Sequence, residues 1–352
     1  GFDAALDEEQ QMKEGKYKKA EKYYDSIFEG VETESLPLPD RNGEIPERGY
    51  LSKEMDTRES VVLSACEKLG VTPNILFTGL FGVLMTRYSN SEDSLFATIY
   101  NGRNDSRLEN TVCMLVKTLP VYCSCDPKAT IQTYMTELSE QLLSSMANDI
   151  FPFSDICAKY GFSSDLVFAY QAELSDDYPI GDTIARGHDL SLDMSKMPLL
   201  IQVREYDHKY VLTAEYRSDK YSEEFVKGIL DAYEAAMDSM LKAKYISEIS
   251  ILSGNAAEKI AEFNHTAQEY DRSQTISDMF DEMVETIPDH TAVVFKDRKY
   301  TYKELDEISD RLGKYIVSQG IGTEDVVSIL IPRCEYMAIA PMGVIKAGAA
   351  YQ

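Results

Sequence analysis

The chain has 352 residues, 44% of them hydrophobic, with 60 Asp and Glu against 35 Lys and Arg and a formal net charge of −25. That length suits two or three domains with ordinary packed cores, and the hydrophobic share excludes a largely disordered chain. The acidic excess repels nucleic-acid phosphates and anionic lipid, so neither is expected as a partner, and with no apolar run near the ~18 residues of a membrane span and no signal-like start, the expected location is cytoplasmic.

Residues 4–30 carry a charged helical pattern, with Leu6, Met12, Tyr17, Ala20, Tyr24 and Ile27 as its apolar stripe and Gly30 as its stop. A proline-rich surface connection, LPLPDRNGEIPERG, follows. SKEMDTRESVVLSACEKLG predicts a strand and then a helix. Thr72 and Pro73 open the next helix as N-cap and first residue, and TPNILFTGLFGVLMTRYS is apolar almost all round, which predicts burial. SLFATIY (94–100) reads as a short buried strand, NGRNDSRLEN as a turn, and VCMLVKTLPVYC as a second strand in which Val112, Met114 and Val116 are packed sandwich residues. Helix 128–147 presents Ile131, Met135, Leu138, Leu142 and Met146 on one stripe. SDLVFAYQ is a strand, LSDDYPIGDT a loop, and PLLIQVREYD with KYVLTAEYRS a hairpin turning at Asp207, His208 and Lys209. SEEFVKGILDAYEAAMDSMLK is an amphipathic helix. Over 36–243 helices and strands alternate as an α/β sandwich, not in a regular doubly wound order.

At 246–274 small residues and weak strand signals mark a linker. AVVFKDRKYTY is a hairpin turning at Lys296, Asp297 and Arg298. Thr301 stands three residues before Glu304, a capping box, and the helix it opens places Leu305, Ile308, Leu312 and Ile316 on one face and stops at Gly320. DVVSILIPR reads as a buried strand and CEYMAIAPMGVIKAG as a helix. The final GVIKAGAAYQ turns into a strand at Ala350 with nothing after it to pair with, so either this end is frayed or the chain is a piece of something longer.

Six cysteines (Cys66, Cys113, Cys123, Cys125, Cys157 and Cys334) lack Cys-x-x-Cys spacing and read as free thiols in a reducing compartment. Cys123 and Cys125 are close, but with no histidine beside them they read as strand positions and no metal site is expected. His208 falls in a hairpin turn, His290 before a strand and His265 in the linker. His188 alone has acids at hand, Asp189 and Asp193, that would orient an imidazole for proton transfer; a solvated loop histidine is the plain alternative. There is no Gly-x-Ser-x-Gly elbow, and GVIKAGAA lacks the spacing of a phosphate-cradling loop. The residues by themselves reveal no active site.

YTYKEL (Tyr300–Leu305), with IKAGAAY (Ile345–Tyr351) behind it, resembles the first two core motifs of the amino-acid adenylation domains of nonribosomal peptide synthetases. FNHT, TISDMF and IPDHTAVV resemble the run-in to such domains. The resemblance makes Thr301, Tyr302, Glu304, Leu305, Lys346, Ala347, Gly348 and Tyr351 motif positions of structural role. It puts the phosphate-binding loop, the aspartates that hold ATP and the catalytic lysine downstream of these motifs.

LPLPDRNG, NGRNDSRLEN with VCMLVKTLPVY, NDIFPFSDI and LTAEYRSDKYSEE resemble the C-terminal half of a condensation domain, whose fold is similar to that of chloramphenicol acetyltransferase. Where the family usually has glycine, phenylalanine and asparagine, this chain has Cys113, Leu115 and Lys117. The family's His-His-x-x-x-Asp-Gly motif, whose second histidine helps position or deprotonate the attacking amine, is absent from the 352 residues. The implied fold class is α/β: a helical lead-in (1–35), a chloramphenicol-acetyltransferase-like sandwich lobe (36–245), a linker (246–274) and an incomplete α/β adenylation segment (275–352). Asn101, Gly102, Arg103, Lys117, Thr118, Asn148, Pro152 and Phe153 would border the tunnel through which the phosphopantetheine arms of carrier proteins reach the reaction centre.

The resemblance implies a parent enzyme that forms peptide bonds between carrier-bound thioesters and activates an amino acid as aminoacyl-AMP. No catalytic residue, metal or cofactor is expected in this stretch. ATP, Mg2+ and phosphopantetheine on carrier proteins belong to the parent module. The expected partners are carrier domains, the missing N-terminal condensation lobe and the remainder of the adenylation domain. The alternatives are a non-catalytic interdomain or carrier-docking platform and a free-standing acyltransferase using His188.

Overall fold

A computed structural model describes residues 2–31, 35–103, 106–108, 111–163, 165–172, 177–186 and 194–352. They divide into two compact units, 1–263 and 264–352.

The first unit opens with two helices in place of the single one expected, α1 (Phe2–Lys13) and α2 (Lys16–Phe28). They part at Gly15, whose φ of 82° is a left-handed conformation that costs glycine little. The apolar period resumes after the break, so the pattern conceals it. The elements β1 (Arg48–Glu54), α3 (Glu59–Leu69), α4 (Pro73–Ser89), β2 (Asp93–Tyr100), β3 (Lys117–Ser124), α5 (Ile131–Ala147), α6 (Phe153–Tyr160) and β4 (Leu166–Gln171) follow. Then β5 (Asp177–Ile180) and β6 (Thr183–Arg186) form a hairpin where a loop was expected. Its turn lies at Gly181 and Asp182, with φ 58° at Gly181, a two-residue connection that glycine permits. Ile180 and Ile184 are exposed there, so no burial pattern advertised the strands. The unit closes with β7 (Leu199–Tyr206), β8 (Lys209–Arg217), α7 (Glu223–Met240) and α8 (Gly254–Phe263).

Six strands make one sheet in the order β1-β8-β7-β4-β2-β3. The β2–β4 and β4–β7 pairs are parallel and the others antiparallel. Helix α4, capped by the Thr72 hydroxyl, packs against β2, β4, α5 and α7, which explains why every residue from Ile75 to Thr86 is buried. Phe81 lies with its ring centroid 4.7 Å from that of Phe168 and 4.9 Å from that of Phe96. The polar ends of core tyrosines are satisfied by α4 carbonyls: Tyr134 donates to Gly79 O and Tyr233 to Phe77 O, each at 2.8 Å. Cys123 and Cys125 are buried beside Tyr134, and burial pushes the Cys123 thiol up to about 11, so it is an inert core residue.

A smaller aromatic cluster fastens α2 to the α5–α6 corner through Ala20, Tyr24, Phe28, Ile150, Phe151 and Ile156. Around it Tyr17 donates to Asp155 Oδ2 at 2.5 Å, Tyr160 to Asp25 Oδ1 at 2.6 Å, and Lys159 pairs with Glu21 at 2.8 Å. Ile246 and Ile249, at the head of the segment read as a linker, are buried in the main core of this unit.

The second unit holds α9 (Ile276–Thr286), a hairpin of β9 (Thr291–Phe295) and β10 (Arg298–Thr301), α10 (Tyr302–Ser318), β11 (Val326–Val327), α11 (Tyr336–Lys346) and β12 (Ala350–Tyr351). The strand begun at Ala350 is not unpaired, because Val326 faces Ala350 and Val327 faces Tyr351 in a parallel ladder. DVVSILIPR, however, is no buried strand: two of its residues pair, while Leu330 is 99% exposed. Among the described residues β12 is its sole strand neighbour, and no layer covers Leu330. Helices α10 and α11 cross tightly. A Cβ on Gly343 would come 2.7 Å from Leu312 Cγ, and one on Gly313 would come 3.1 Å from Gly343 O. The face of α10 that is buried is accordingly Leu305, Ser309, Gly313 and Ile316, with Ile308 and Leu312 half-buried.

Candidate functional site

The expected tunnel residues fall into two groups. In the first, Asn101 Oδ1 accepts from Arg103 N at 3.0 Å, and Gly102 adopts φ 67° with Leu115 O only 2.0 Å from where a Cβ would stand. No other residue fits that position without moving the backbone. The Arg103 guanidinium donates to the carbonyls of Leu108, Thr111 (2.9 Å) and Cys113 (3.3 Å). A planar fork with five donors suits this gathering of backbone acceptors. It draws those carbonyls away from any strand ladder, and the expectation of a strand running from Val112 is corrected: β3 begins at Lys117. Val112, Met114 and Val116 are not packed sandwich residues but are 100%, 85% and 52% exposed.

The second group lies where β3 begins. Lys117 pairs with Tyr100 and Thr118 with Ile99 across the β2–β3 ladder. Lys117 Nζ donates to Glu8 Oε1 at 3.0 Å and to Asp149 O at 3.3 Å, and stands 3.4 Å from Asp149 Oδ1. Burial raises the Asp149 carboxyl above the usual carboxylate range, and the Lys117 ammonium offsets this only in part. Tyr100 is raised as well, by burial and by the Asp149 charge. Asn148 caps α5, its Nδ2 donating to Ser144 O at 2.8 Å. Exposed Pro152 precedes α6, its carbonyl accepting from Asp155 N at 2.9 Å and Ile156 N at 3.1 Å. Phe153 is half-buried, whereas Phe151, two residues earlier, is the buried aromatic.

The structure thus brings Lys117 together with Asp149, which lies inside the expected 148–153 segment, and with Glu8, which the sequence did not single out. The available signal was Lys117 itself, a cation in a strand position where the family usually has asparagine. Asn101 and Arg103 turn into their own loop. His188, Asp189 and Asp193 lie outside the described residues. His208 Nδ1 sits 2.9 Å from Glu59 Oε2 with the ring exposed.

The motif positions of the second unit are engaged in its packing. Thr301 Oγ1 accepts from Glu304 N at 3.2 Å while Glu304 Oε2 accepts from Thr301 N at 2.9 Å, a closed capping box. Tyr302 lies 6.0 Å from Phe280, ring to ring, and Leu305 is buried. Lys346 joins α11 to α10 through Asp306 and through Asp310 at 2.8 Å, with its ammonium 5.2 Å from the Phe280 ring centre. Burial pulls the Lys346 pKa down, but the two carboxylates hold it above its ordinary value. Ala347 is buried, Gly348 turns the chain with φ 76°, and Tyr351 is half-exposed in β12.

Among the described residues no group of three or more His, Cys, Asp or Glu side chains is placed to hold a metal ion. No single described helix is long and apolar enough to cross a membrane; α3 and α4 pass that test only as a pair bent by 89°.

A family profile described as a condensation domain matches residues 3–261, and one described as an AMP-binding enzyme matches residues 280–352. The first match takes in the helical lead-in and part of the segment read as a linker. Among curated proteins the chain is 27% identical over 293 residues to gramicidin S synthase 2 of Brevibacillus brevis, a match covering 80% of this chain and 7% of that protein. It is 26% identical over 369 residues to surfactin synthase subunit 1 of Bacillus subtilis (strain 168), covering 99% of this chain and 10% of that one. The chain therefore spans a small part of these relatives. Among solved structures, a four-domain nonribosomal peptide synthetase bound to AMP and glycine aligns with a TM-score of 0.64 at 18% identity, over 94% of this chain and 27% of its own. The first condensation domain of the calcium-dependent antibiotic synthetase aligns with a TM-score of 0.58 at 14% identity, over 70% of this chain and 56% of its own.

Proposed function

Because this chain belongs to the condensation-domain family and continues into the opening of an adenylation domain, as part of a nonribosomal peptide synthetase, we propose that its first unit is the C-terminal, chloramphenicol-acetyltransferase-like lobe of an elongating condensation domain. The observation that carries the reading is the order of the two matches on one chain, condensation then AMP-binding. An adenylation domain directly behind the lobe favours elongation over epimerisation. The assignment to the C-terminal half draws support from the absence of the His-His-x-x-x-Asp-Gly motif from these 352 residues.

In the reaction proposed for the parent, the amine of a carrier-held aminoacyl group attacks the thioester carbonyl of the upstream carrier. A C–N bond forms, the C–S bond breaks, and the phosphopantetheine thiol leaves with a proton. The next domain would join the amino-acid carboxylate to the α-phosphorus of ATP, giving aminoacyl-AMP as the bond to the departing pyrophosphate breaks, with Mg2+ offsetting the phosphate charge. In this stretch the Arg103-held loop and the Lys117–Asp149 pair form part of the tunnel wall. Exposed Val112, Met114 and Val116 provide an apolar surface for the N-terminal lobe.

Supplying the N-terminal lobe together with donor- and acceptor-loaded carriers should yield a peptidyl carrier detectable by intact mass. The 1–352 chain alone should yield none. Product formed by 1–352 alone and abolished by His188→Ala would refute the proposal in favour of a free-standing acyltransferase. A second reading, a non-catalytic platform that orients neighbouring domains, draws on the bonds within the chain that occupy Arg103, Lys117 and Asn148. Isotope-labelled carrier protein whose spectrum does not change on titration with the chain would favour it.

A further inference from the structure

Away from these regions, the C-terminal ends of α3 and α7 and the start of α5 converge on a cavity of about 490 Å3. Leu76, Ile131 and Met240 form its floor, 0%, 5% and 4% exposed. Lys68, Lys242 and Lys244 stand at its rim and are exposed. In a chain of net charge −25, no carboxylate lines this cavity, and none of the three ammonium groups has an ion-pair partner among the described residues. Lys68 has a local reason to be where it is, since a cation in the last turn of α3 complements the helix dipole. Lys242 and Lys244 follow α7, and Lys244 lies 5.0 Å from the centre of the Tyr245 ring. Behind the Lys244 and Tyr245 amides, the Lys244 charge also helps to lower the Glu248 carboxyl, yet none of the three lysines has an ion pair among the described residues, and the local reasons leave their gathering around one largely apolar hollow unexplained.

The positive end of α5 faces the same cavity, but two of its first-turn amides are already engaged. Ile131 N donates to Lys244 O at 3.0 Å and Thr133 N to Thr130 Oγ1 at 3.1 Å. An anion here is held by the lysines, with the helix adding only its field. The volume lies within the roughly 300–1,000 Å3 of small-molecule clefts and favours a compact ligand over a docked helix, which needs an extended groove.

We propose that this cavity binds a small amphipathic anion, an aliphatic carboxylate whose tail lies on Leu76, Ile131 and Met240 and whose head sits among Lys68, Lys242 and Lys244. The binding is non-covalent and does not depend on the function proposed above.

The test is to titrate the 1–352 chain, labelled at Ile, Leu and Met methyls, with decanoate. Saturable shifts are expected at Leu76, Ile131 and Met240. The surface variant Lys242→Glu/Lys244→Glu, which leaves the core untouched, should weaken binding by about tenfold, and added salt should weaken it too. Decyltrimethylammonium, with a tail of the same length and the opposite charge, should not saturate those methyls. The proposal is overturned if decanoate leaves the three methyls unmoved, if decanol or the charge-reversed variant gives the same affinity, or if an acidic amphipathic peptide moves them where decanoate does not.

Discussion

Helix α4 of the first unit and segment 325–333 of the second are both predominantly apolar, and they meet opposite fates. The first lies between a six-stranded sheet and two helices, and Leu76, Phe77, Leu80, Phe81, Val83, Leu84 and Met85 are all 0% exposed. The second pairs two residues with a two-residue neighbour and leaves Leu330 in solvent. The buried set of 264–352 is correspondingly small, with Ile316, Val344, Ala347 and Ala349 at its centre. Apolar sequence supplies the incentive to bury; whether burial happens depends on how many other elements arrive to share it.

Phe81→Ala removes a ring stacked on Phe168 and edge-on to Phe96 and should destabilise the first unit by about 3–5 kcal/mol, read as a lower urea midpoint. An unchanged midpoint of the first unit would contradict the role given to this ring. Native-state hydrogen exchange should show the amides of α10 and α11 opening at a lower free energy than those of α4. Protection throughout 275–352 equal to that of α4 would contradict the contrast.

Smaller effects sharpen it. Gly343→Val places a side chain against Leu312 at the α10–α11 crossing and should cost about 1–3 kcal/mol, visible as faster exchange in both helices. Thr301→Ala opens the capping box of α10 and should cost about 1 kcal/mol, measured by thermal unfolding followed at helix wavelengths.

The Lys117–Asp149 pair offers a pH test in the first unit. Asp149 has its folded pKa above its unfolded value, so the stability linked to it is fully present below the ordinary carboxylate pKa of about 3.9 and is lost as pH rises through the folded value. Lys117→Met removes the cation that opposes this shift and should carry the loss to higher pH. Urea midpoints of the two proteins between about pH 4 and 7 would check it, and parallel curves would show that the pair is not coupled.

Much of the fold was legible because its signals are local. Thr72 and Pro73 opening α4, the capping box of Thr301 and Glu304, and the hairpin turns at Asp207–His208 and Lys296–Asp297 depend on hydrogen bonds and dihedrals within a few residues. The break at Gly15 was local too, but glycine inside a continuing helical period signals only the possibility of one. The candidate site was less legible. Gly102 and Arg103 stood out as a motif, yet their consequence, a loop that carries Val112, Met114 and Val116 outward, arises from carbonyls that Arg103 collects five to ten residues further on.

The amino-acid order displayed the longer helices, several of their caps and which two domain types follow one another, though not the parting of α1 from α2 or the short helix α6. These depend on neighbours in the chain, and neighbours are what a sequence displays. Tertiary structure alone decided that Lys117 meets Glu8, 109 residues away, that Asp149 is buried beside it, and that DVVSILIPR stays mostly uncovered. Those outcomes follow from desolvation and from strand partners brought across long stretches of chain, quantities that no residue carries by itself.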